Sequence, residues 1–273
     1  MIVLDGSKVE TMGWTLVAPW RDIAHSPGEH VFGLPDPRLS AHVLAYVSHD
    51  FPRMDPLPWR VTPLCALTAV LDLETPSRTE GLPSSPVLGL RDRPLELTQT
   101  GAARGITIAL TPLGAHAVFG LPLRELTNTA VGIHDLLGPL AELWLEQLAE
   151  ATSWTARFEL LDGFLAARLA DGPALSRPLL GAWQRLTSGP VRVDALADEL
   201  GWTRQHLSTR FREQIGLPPK TVARLARLYR ATSLAGSLSW PDVAYRCGYA
   251  DQSHLIRDFR ALTGCTPTEF RGM

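Results

Sequence analysis

The chain has 273 residues, of which 45% are apolar and 20% charged, and its 26 Lys and Arg against 28 Asp and Glu give a net charge of −2. This length allows two domains, each with its own hydrophobic core. No run of 18 apolar residues occurs and the N-terminus lacks the pattern of a secretory signal, so we expect neither a membrane span nor export. The odd, widely spaced cysteines Cys65, Cys247 and Cys265 argue against disulfides and fit a reducing cytoplasm.

The N-terminal part has the pattern of a compact β-rich domain. Short segments rich in Val, Leu and Thr predict strands, and clusters of Pro, Gly and Ser between them predict irregular loops. The predicted strands are 14–20, 42–51, 64–74, 87–98 and 105–110, and the predicted loops are 25–30, 33–40, 51–58 and 79–86. This pattern does not fit a doubly wound sheet.

After residue 111 the pattern becomes helical. A short helix is predicted over 113–120, ending at Gly120. Apolar residues at helical spacing predict a second helix over 134–151 and a third over 153–170, the third capped by Ser153. We expect these two amphipathic helices to form a helical hairpin within 129–172, as a dimerisation or linker segment.

The last 80 or so residues contain one pattern twice, at an offset of 47 to 48 positions. The copies read ALADELGWTRQHLSTRFREQIGLPP (195–219) and DVAYRCGYADQSHLIRDFRALTGCTP (242–267). The matched pairs are Ala197 with Ala244, Gly201 with Gly248, Trp202 with Tyr249, Leu207 with Leu255, Phe211 with Phe259 and Gly216 with Gly264. Each copy predicts a helix-turn-helix unit, over 193–216 and 240–264, with a small residue where two helices approach and a glycine in the turn.

The outward face of the second helix in each unit carries residue types that contact bases and phosphates. Thr203 is the predicted N-cap in the first unit, and Asp251 or Ser253 in the second. The predicted DNA contacts are Thr203, Arg204, Gln205, Ser208, Thr209 and Arg212 in the first unit, Gln252, Ser253, His254, Ile256, Arg257 and Arg260 in the second, and Lys220 after the first. Any single surface helix can show such a face, but a second matching copy favours DNA binding.

The stretch GYADQSHLIRDFRALTGCTPTEFR (248–271) resembles the C-terminal DNA-binding domain of AraC/XylS-type transcriptional regulators. The resemblance rests on the spacing of Gly248, Ser253, His254, Phe259, Gly264, Pro267 and Arg271. It implies seven helices, a linker helix over 219–236, and two recognition helices in successive major-groove segments of one DNA face. It also implies that Arg227, near the centre of the linker helix, is a structural clamp rather than a base contact.

The chain departs from the family pattern in the first recognition helix. Family members commonly have Leu-Ser-Arg there, whereas this chain has Leu207-Ser208-Thr209. Arg257 keeps the equivalent place in the second helix. Because Thr contacts bases more weakly than a bidentate Arg, a known operator sequence cannot be transferred to this chain.

The charge is divided unequally along the chain. Residues 190–273 carry 12 Lys and Arg against 8 Asp and Glu, a net of +4, and residues 1–189 carry 14 against 20, a net of −6. A mildly basic C-terminal domain suits sequence-specific binding with modest phosphate affinity. A nonspecific architectural DNA-binding protein without an effector is the alternative.

Three interpretations of the N-terminal part compete: an effector-binding domain, a dimerisation platform, and an enzyme. Wall residues for an apolar ligand would be Trp14, Trp20, Tyr46, Phe51 and Trp59, each of which could equally be an ordinary core aromatic. His25 and His30, like His42 and His49, lack the spacing of a zinc site, and no nucleophile or nucleotide-binding motif occurs. We therefore expect no enzyme, metal or cofactor.

The sequence thus predicts an α+β two-domain protein. A β-rich, sensor-like effector or regulatory domain spans 1–128, the helical hairpin spans 129–172, and an all-α tandem helix-turn-helix domain spans 173–273. The predicted function is a cytoplasmic, nucleoid-associated, sequence-specific transcriptional regulator. Its expected partners are double-stranded DNA, RNA polymerase, and a small-molecule effector or a second copy of the chain. The operator, the sign of regulation and the effector stay open.

Overall fold

The computed structural model describes residues 9–11, 14–16, 30–51, 56–75 and 81–272. Within these ranges, all strands lie before residue 133, and the chain beyond it is helical. The predicted α+β class, with a β-rich N-terminal part and an all-α C-terminal part, is therefore confirmed. No helix in the described ranges is both long enough and apolar enough to cross a membrane.

The N-terminal part is built on an antiparallel sheet with six strands among the described residues. Its strands are β3 (Phe32–Gly33), β4 (Val43–Phe51), β6 (Leu67–Asp72), β7 (Pro86–Leu88), β9 (Ala103–Leu110) and β10 (Ala130–Gly132), in the order β10-β7-β6-β9-β4-β3. Two two-stranded antiparallel sheets accompany it, the hairpin of β1 (Val9–Thr11) with β2 (Trp14–Leu16), and the pair of β5 (Leu57–Val61) with β8 (Leu95–Gln99). Strand β9 lies between β4 and β6 and is buried along most of its length, as expected of a strand covered on both faces.

Two sequence predictions in this part are wrong in detail. The single strand predicted over 87–98 is two strands, β7 and β8, which pair in different sheets. The polar stretch Asp92-Arg93-Pro94 separates them, and a proline cannot donate to a sheet ladder. The predicted loop 51–58 contains the first residues of β5. The local pattern shows the break before β8, but it does not show which strands β7, β8 and β5 pair with.

Two of the helices that follow the sheet have the caps that the sequence predicts, and a third predicted helix is divided into two. Helix α1 (Pro112–Phe119) ends at Gly120, whose φ is 71°, and the Ala156 N–H of helix α4 (Trp154–Asp171) donates to Ser153 Oγ at 3.2 Å. The helix predicted over 134–151 is instead two helices, α2 (Ile133–Leu137) and α3 (Pro139–Glu150). Gly138 at φ 56° followed by Pro139 breaks it, because that backbone favours glycine and proline has no N–H to continue the ladder.

Helices α3 and α4 pack on each other and on the sheet. The rings of Trp144 and Phe164 stack at 5.1 Å between centroids, and Phe158 stacks on Tyr46 of β4 at 5.5 Å. Tyr46 is fully buried, and its hydroxyl donates to Asp162 Oδ1 of α4 at 2.7 Å. The apolar stripes of the hairpin are therefore largely buried within the same chain, although Leu143 stays 47% exposed.

The C-terminal part, which the structure describes without a gap from 177 to 272, has the seven helices that the resemblance implied. They are α5 (Arg177–Ser188), α6 (Val193–Glu199), α7 (Arg204–Gln214), α8 (Pro219–Leu234), α9 (Trp240–Arg246), α10 (Gln252–Thr263) and α11 (Pro267–Gly272). Helix α8 contacts α5, α7, α9 and α10. Its buried face includes Val222, Leu225 and Ala231, so the linker helix is part of the core.

The hydrogen bond between Tyr46 and Asp162 should stabilise the contact between the sheet and the hairpin. Burial and the Asp162 carboxylate raise the pKa of the Tyr46 phenol, which therefore stays a proton donor. We expect Tyr46→Phe to lower the free energy of unfolding by about 1–3 kcal/mol in urea titrations, because the carboxylate loses its donor. Tyr245→Phe is the matched control, since that side chain is 85% exposed. Equal effects of the two substitutions would contradict this assignment.

Candidate nucleic-acid interface

The first helix-turn-helix unit consists of α6, a turn and α7. The turn is possible because Gly201 adopts a left-handed φ of 65°, and the next residue, Trp202, donates its N–H to Ala197 O at 2.9 Å. Thr203 then begins α7, as predicted, by accepting the His206 N–H at 3.1 Å. Leu207 and Phe211, four residues apart, are fully buried on the inward face of α7.

The second unit, α9 and α10, repeats the first down to individual hydrogen bonds. Gly248 has a φ of 74°, and Tyr249 donates its N–H to Ala244 O at the same 2.9 Å. Of the two predicted N-caps, Asp251 is the one that caps α10, accepting the His254 N–H at 2.6 Å. Leu255 and Phe259 take the buried places of the inward face. The repeat in sequence is therefore a repeat in geometry.

Two arginines of α8 hold the second unit. Arg224 donates from Nε and Nη2 to Asp258 Oδ1 of α10, at 3.1 and 3.0 Å, and Asp258 is buried. The guanidinium of Arg227 lies over the Tyr249 ring, 5.1 Å from its centroid. The Arg227 contact supports the structural role that the resemblance implied, and Arg224 adds a second clamp.

The structure leaves most of the predicted contact side chains at the surface. The exposed ones are Thr203, Arg204, Gln205, Thr209, Arg212, Lys220, Gln252, Ser253, Arg257 and Arg260, and the half-buried ones are Ser208, His254 and Ile256. Each recognition helix therefore presents a polar face opposite its buried Leu and Phe. Arg257 is exposed with its Nε donating to Ser253 O at 3.4 Å, one turn back on α10.

Some of these residues already have partners within the protein. The Thr203 hydroxyl serves as the cap of α7. His254 packs edge-on against Tyr249, at 5.3 Å between centroids, and its Nε2 lies 3.8 Å from Asp258 Oδ2. Ile256 packs against the core. These three side chains are less available to DNA than the exposed arginines and glutamines.

Sequence reasoning missed two exposed side chains on the same units. His206 lies on α7 and meets the Trp202 ring edge-on, at 4.7 Å between centroids. Tyr245 of α9 is a large side chain that is 85% exposed. Both residues could have been predicted to be exposed from the sequence, because each lies outside the apolar stripe of its helix.

The candidate ligand-pocket residues of the N-terminal part fall in different places. Tyr46 is in the core between β4 and α4, as described above, and Phe51 is buried in β4, with its ring 5.3 Å from the His30 ring and 5.7 Å from the His49 ring. Trp20 and the side chains of Trp14 and Trp59 lie outside the described residues. The described part therefore does not bring these aromatic residues together into one site.

Comparisons with known proteins agree with this geometry. A family model described as a helix-turn-helix domain matches residues 196–273. The transcriptional activator RhaS of Escherichia coli, in strains HS and K12 among others, is 32% identical over 96 residues, which is 34% of this chain and 34% of RhaS. The C-terminal part of this chain contains a helix-turn-helix domain. The match spans about a third of the length of these curated relatives.

Solved structures give a coarser likeness over more of the chain. ToxT from Vibrio cholerae has a TM-score of 0.47 at 13% identity, covering 83% of this chain and 97% of ToxT. The xylose-binding transcription activator XylR has a TM-score of 0.32 at 25% identity, covering 38% of this chain and 29% of XylR. The details of the helix-turn-helix domain in this chain rest on its own contacts.

The N-terminal part touches the helix-turn-helix domain at matched positions of the two units. Gly216 and Gly264 follow the two recognition helices and have φ values of 100° and 75°. Thr127 Oγ1 donates to Gly216 O at 2.9 Å, and a Cβ on Gly216 would lie 3.0 Å from Leu123 O. A Cβ on Gly264 would lie 3.0 Å from Arg60 Nη1. The same turn in each unit is therefore in contact with the β-rich part.

The ion pair of Arg224 with Asp258 should fix α10 on α8. We expect Asp258→Asn to lower the free energy of unfolding by about 1–3 kcal/mol, because it leaves a partly buried guanidinium without its counter-charge. Asp194→Asn, at the exposed pair with Arg192, is the matched control and should have no measurable effect. Chemical denaturation of both variants checks this, and equal stability of the two would show that the clamp is dispensable.

Proposed function

We propose that this protein is a sequence-specific transcriptional regulator that places α7 and α10 in adjacent major-groove segments of one DNA face. The observation that carries the proposal is the repeated geometry: two units with equivalent caps, glycines and turn hydrogen bonds, joined through α8, each with an exposed polar face on its second helix. Since one chain supplies both recognition helices, it reads an asymmetric site without a dimer.

The exposed side chains suggest a division of contacts within the site. In the second segment, Arg257 is the proposed base contact, with a bidentate bond to guanine as the expected chemistry. In the first segment, Arg204 and Gln205 are the proposed base contacts, with Ser208 and Thr209 in secondary places. The remaining proposed contacts, to phosphates or neighbouring base edges, are Thr203, Arg212, Lys220, Gln252, Ser253, His254, Ile256 and Arg260.

The two recognition helices should differ in how strongly they discriminate bases. The first carries Thr209 where the second carries Arg257, and a Thr hydroxyl gives a weaker and less directional contact than a guanidinium fork. We therefore expect one well-defined half-site, read by α10, and one more permissive half-site, read by α7.

The N-terminal part is the proposed regulatory part. It contacts the turn after each recognition helix, at Gly216 and Gly264, so a change in its position would change how the two units meet DNA. We propose a small-molecule effector or a second copy of the chain as the signal, and RNA polymerase as the macromolecular target. The name of RhaS, a transcriptional activator, supports the latter.

Selection of bound DNA from a random pool with the purified full-length chain tests the function. We expect an asymmetric consensus with two half-sites about 10 bp apart, one helical turn of DNA. No enriched sequence, together with a steep loss of affinity with salt, would instead identify a nonspecific architectural protein. Repeating the selection with a metabolite extract would show whether an effector changes the outcome.

Arg257→Ala tests the proposed base contact. We expect it to weaken binding to the selected sequence by about 1–3 kcal/mol and to relax base preference at one position, because the bidentate contact is lost. Arg38→Ala is the control, since Arg38 is exposed on the N-terminal part and paired with Asp36. Binding titrations of both variants with the selected and with a scrambled DNA sequence measure this. An equal loss on both sequences would make Arg257 a phosphate contact.

A further inference from the structure

A cavity of about 260 Å³ lies between the β-rich part and the DNA-binding domain. We call it the interdomain cavity. On the side of the β-rich part its lining includes Leu44 of β4, Leu113 of α1, and Cys65, which precedes β6. On the side of the DNA-binding domain its lining includes Leu180 and Trp183 of α5 and Tyr229 of α8. Its volume is close to the lower end of the roughly 300–1,000 Å³ of sites that hold small organic molecules.

The shape of strand β4 directs one wall residue into this cavity. The register of β4 against β9 shifts between Val43 and Ala45, which makes Leu44 the extra residue of a β-bulge. Val43 and Ala45 are both buried in the core, whereas Leu44 lines the cavity. A bulge re-aims a side chain in this way and is frequent next to binding sites.

The lining of the interdomain cavity is apolar and uncharged. Among the described residues, no Asp, Glu, Lys, Arg or His lines it. The hydroxyl groups of Thr111 and Thr187, which do line it, already donate to the backbone carbonyls of Ala41 and Trp183, at 3.0 and 2.8 Å. Burial raises the pKa of the Cys65 thiol to about 12, so this wall is neutral at physiological pH.

The nearby guanidinium of Arg230 does not change this. Its charge lowers the pKa of the Cys65 thiol by less than burial raises it, but Arg230 does not line the cavity, and its Nη1 already donates to Thr187 O at 3.4 Å. A carboxylate or ammonium group in the cavity would therefore lose its hydration without an ion-pair partner in the lining, which is a cost of several kcal/mol. The other polar side chains of the lining are Ser40, Gln184, Ser188 and Tyr229. Ser40 Oγ donates to Pro37 O at 2.7 Å, and the Gln184 amide and the Ser188 hydroxyl at the exposed edge can pair with a neutral donor or acceptor.

We propose that the interdomain cavity binds an uncharged, largely apolar molecule the size of one or two aromatic rings, with a single polar end toward Gln184. Such a molecule touches both parts of the chain and favours their docked arrangement. Only this regulatory consequence rests on the proposed function. Binding itself is a property of the chain without DNA.

The position of the cavity connects it to the second unit. Tyr229, a wall residue, lies on α8 two residues after Arg227, which covers Tyr249, and five after Arg224, which holds Asp258. A ligand that shifts or fixes α8 therefore acts on the helix that positions α10. This gives an effector a physical route to the recognition helix, since both sites bias one packed element.

Calorimetric titration of the full-length chain without DNA tests the proposal. The probes are 2-naphthol and indole, both neutral, and 2-naphthoate, which has the same rings as 2-naphthol and a negative charge. We expect 2-naphthol to bind one site with a Kd of about 10–500 μM, the range for a ligand of this size. We expect 2-naphthoate to bind at least about tenfold more weakly, because its carboxylate has no partner.

Variants locate the site. Leu44→Trp should fill the cavity and weaken 2-naphthol binding at least about tenfold, whereas Leu143→Trp, the same change at an exposed position of α3, should leave it within about twofold. Thermal unfolding monitors the fold of both. Gln184→Trp, at an exposed edge position of α5, is a second blocking variant that leaves the core untouched, and it should also weaken binding.

The outcomes separate the two proposals. No binding of either neutral probe at about 1 mM, or unchanged binding in both blocking variants, overturns the site. Tighter binding of 2-naphthoate than of 2-naphthol overturns the uncharged ligand class. If the chain binds the probes but selects no DNA sequence, the ligand site stands and the proposed function is rejected. If the chain selects a DNA sequence but binds no probe, the proposed function stands and the ligand site is rejected.

Discussion

The packing of helix α8 against α5, α7, α9 and α10 is the constraint on which the rest of the C-terminal part depends. Its apolar face is buried along the length of the helix, so the two units cannot move independently without exposing that face to water. The polar clamps are on one side only: Arg224 and Arg227 hold the second unit. The first unit contacts α8 as well, but its polar contacts are to other elements: Arg185 of α5 donates to Glu199 of α6, and Thr127 of the β-rich part donates to Gly216 O after α7. The relative placement of the two recognition helices is thus set partly within the DNA-binding domain and partly from outside it.

The two glycines that follow the recognition helices show why the β-rich part can be regulatory. Each adopts a positive φ, which a glycine reaches without strain, and each lies against a group of the N-terminal part so closely that a Cβ would collide or crowd it. The backbone of both positions favours glycine, and at Gly216 the Leu123 carbonyl also leaves little room for a side chain. Docking of the N-terminal part is therefore built into the same turns that end α7 and α10, and this links any change in docking to the ends of both recognition helices.

The local features of the DNA-binding domain could be predicted from the sequence, because capping, left-handed glycines and the four-residue spacing of Leu and Phe depend on neighbours in the chain. Thr203, Asp251, Gly201 and Gly248 are placed as their residue types require. The inward position of His254 was missed because it depends on Tyr249 and on the buried Asp258, whose partner Arg224 is 34 residues away. The break at Gly138-Pro139 was visible in the sequence, but the apolar period across it suggested one continuous helix. The interdomain cavity has no local signal, since its wall residues lie between positions 40 and 229 and meet only in the fold.

The two units differ in their recognition helices and in what holds them, so we expect them to contribute unequally to DNA recognition. The second unit has the proposed base contact Arg257 and two arginine clamps that fix its position, so we expect its half-site to be read strongly and in a fixed geometry. The first unit has Thr209 in the corresponding place, and Thr127 of the N-terminal part donates to Gly216 O, just after its recognition helix. A weakly discriminating helix gains most from being held in register, because orientation then replaces part of the contact energy that it lacks. We infer that docking through Thr127 acts on the first half-site, whereas a ligand in the interdomain cavity acts through α8 on the second.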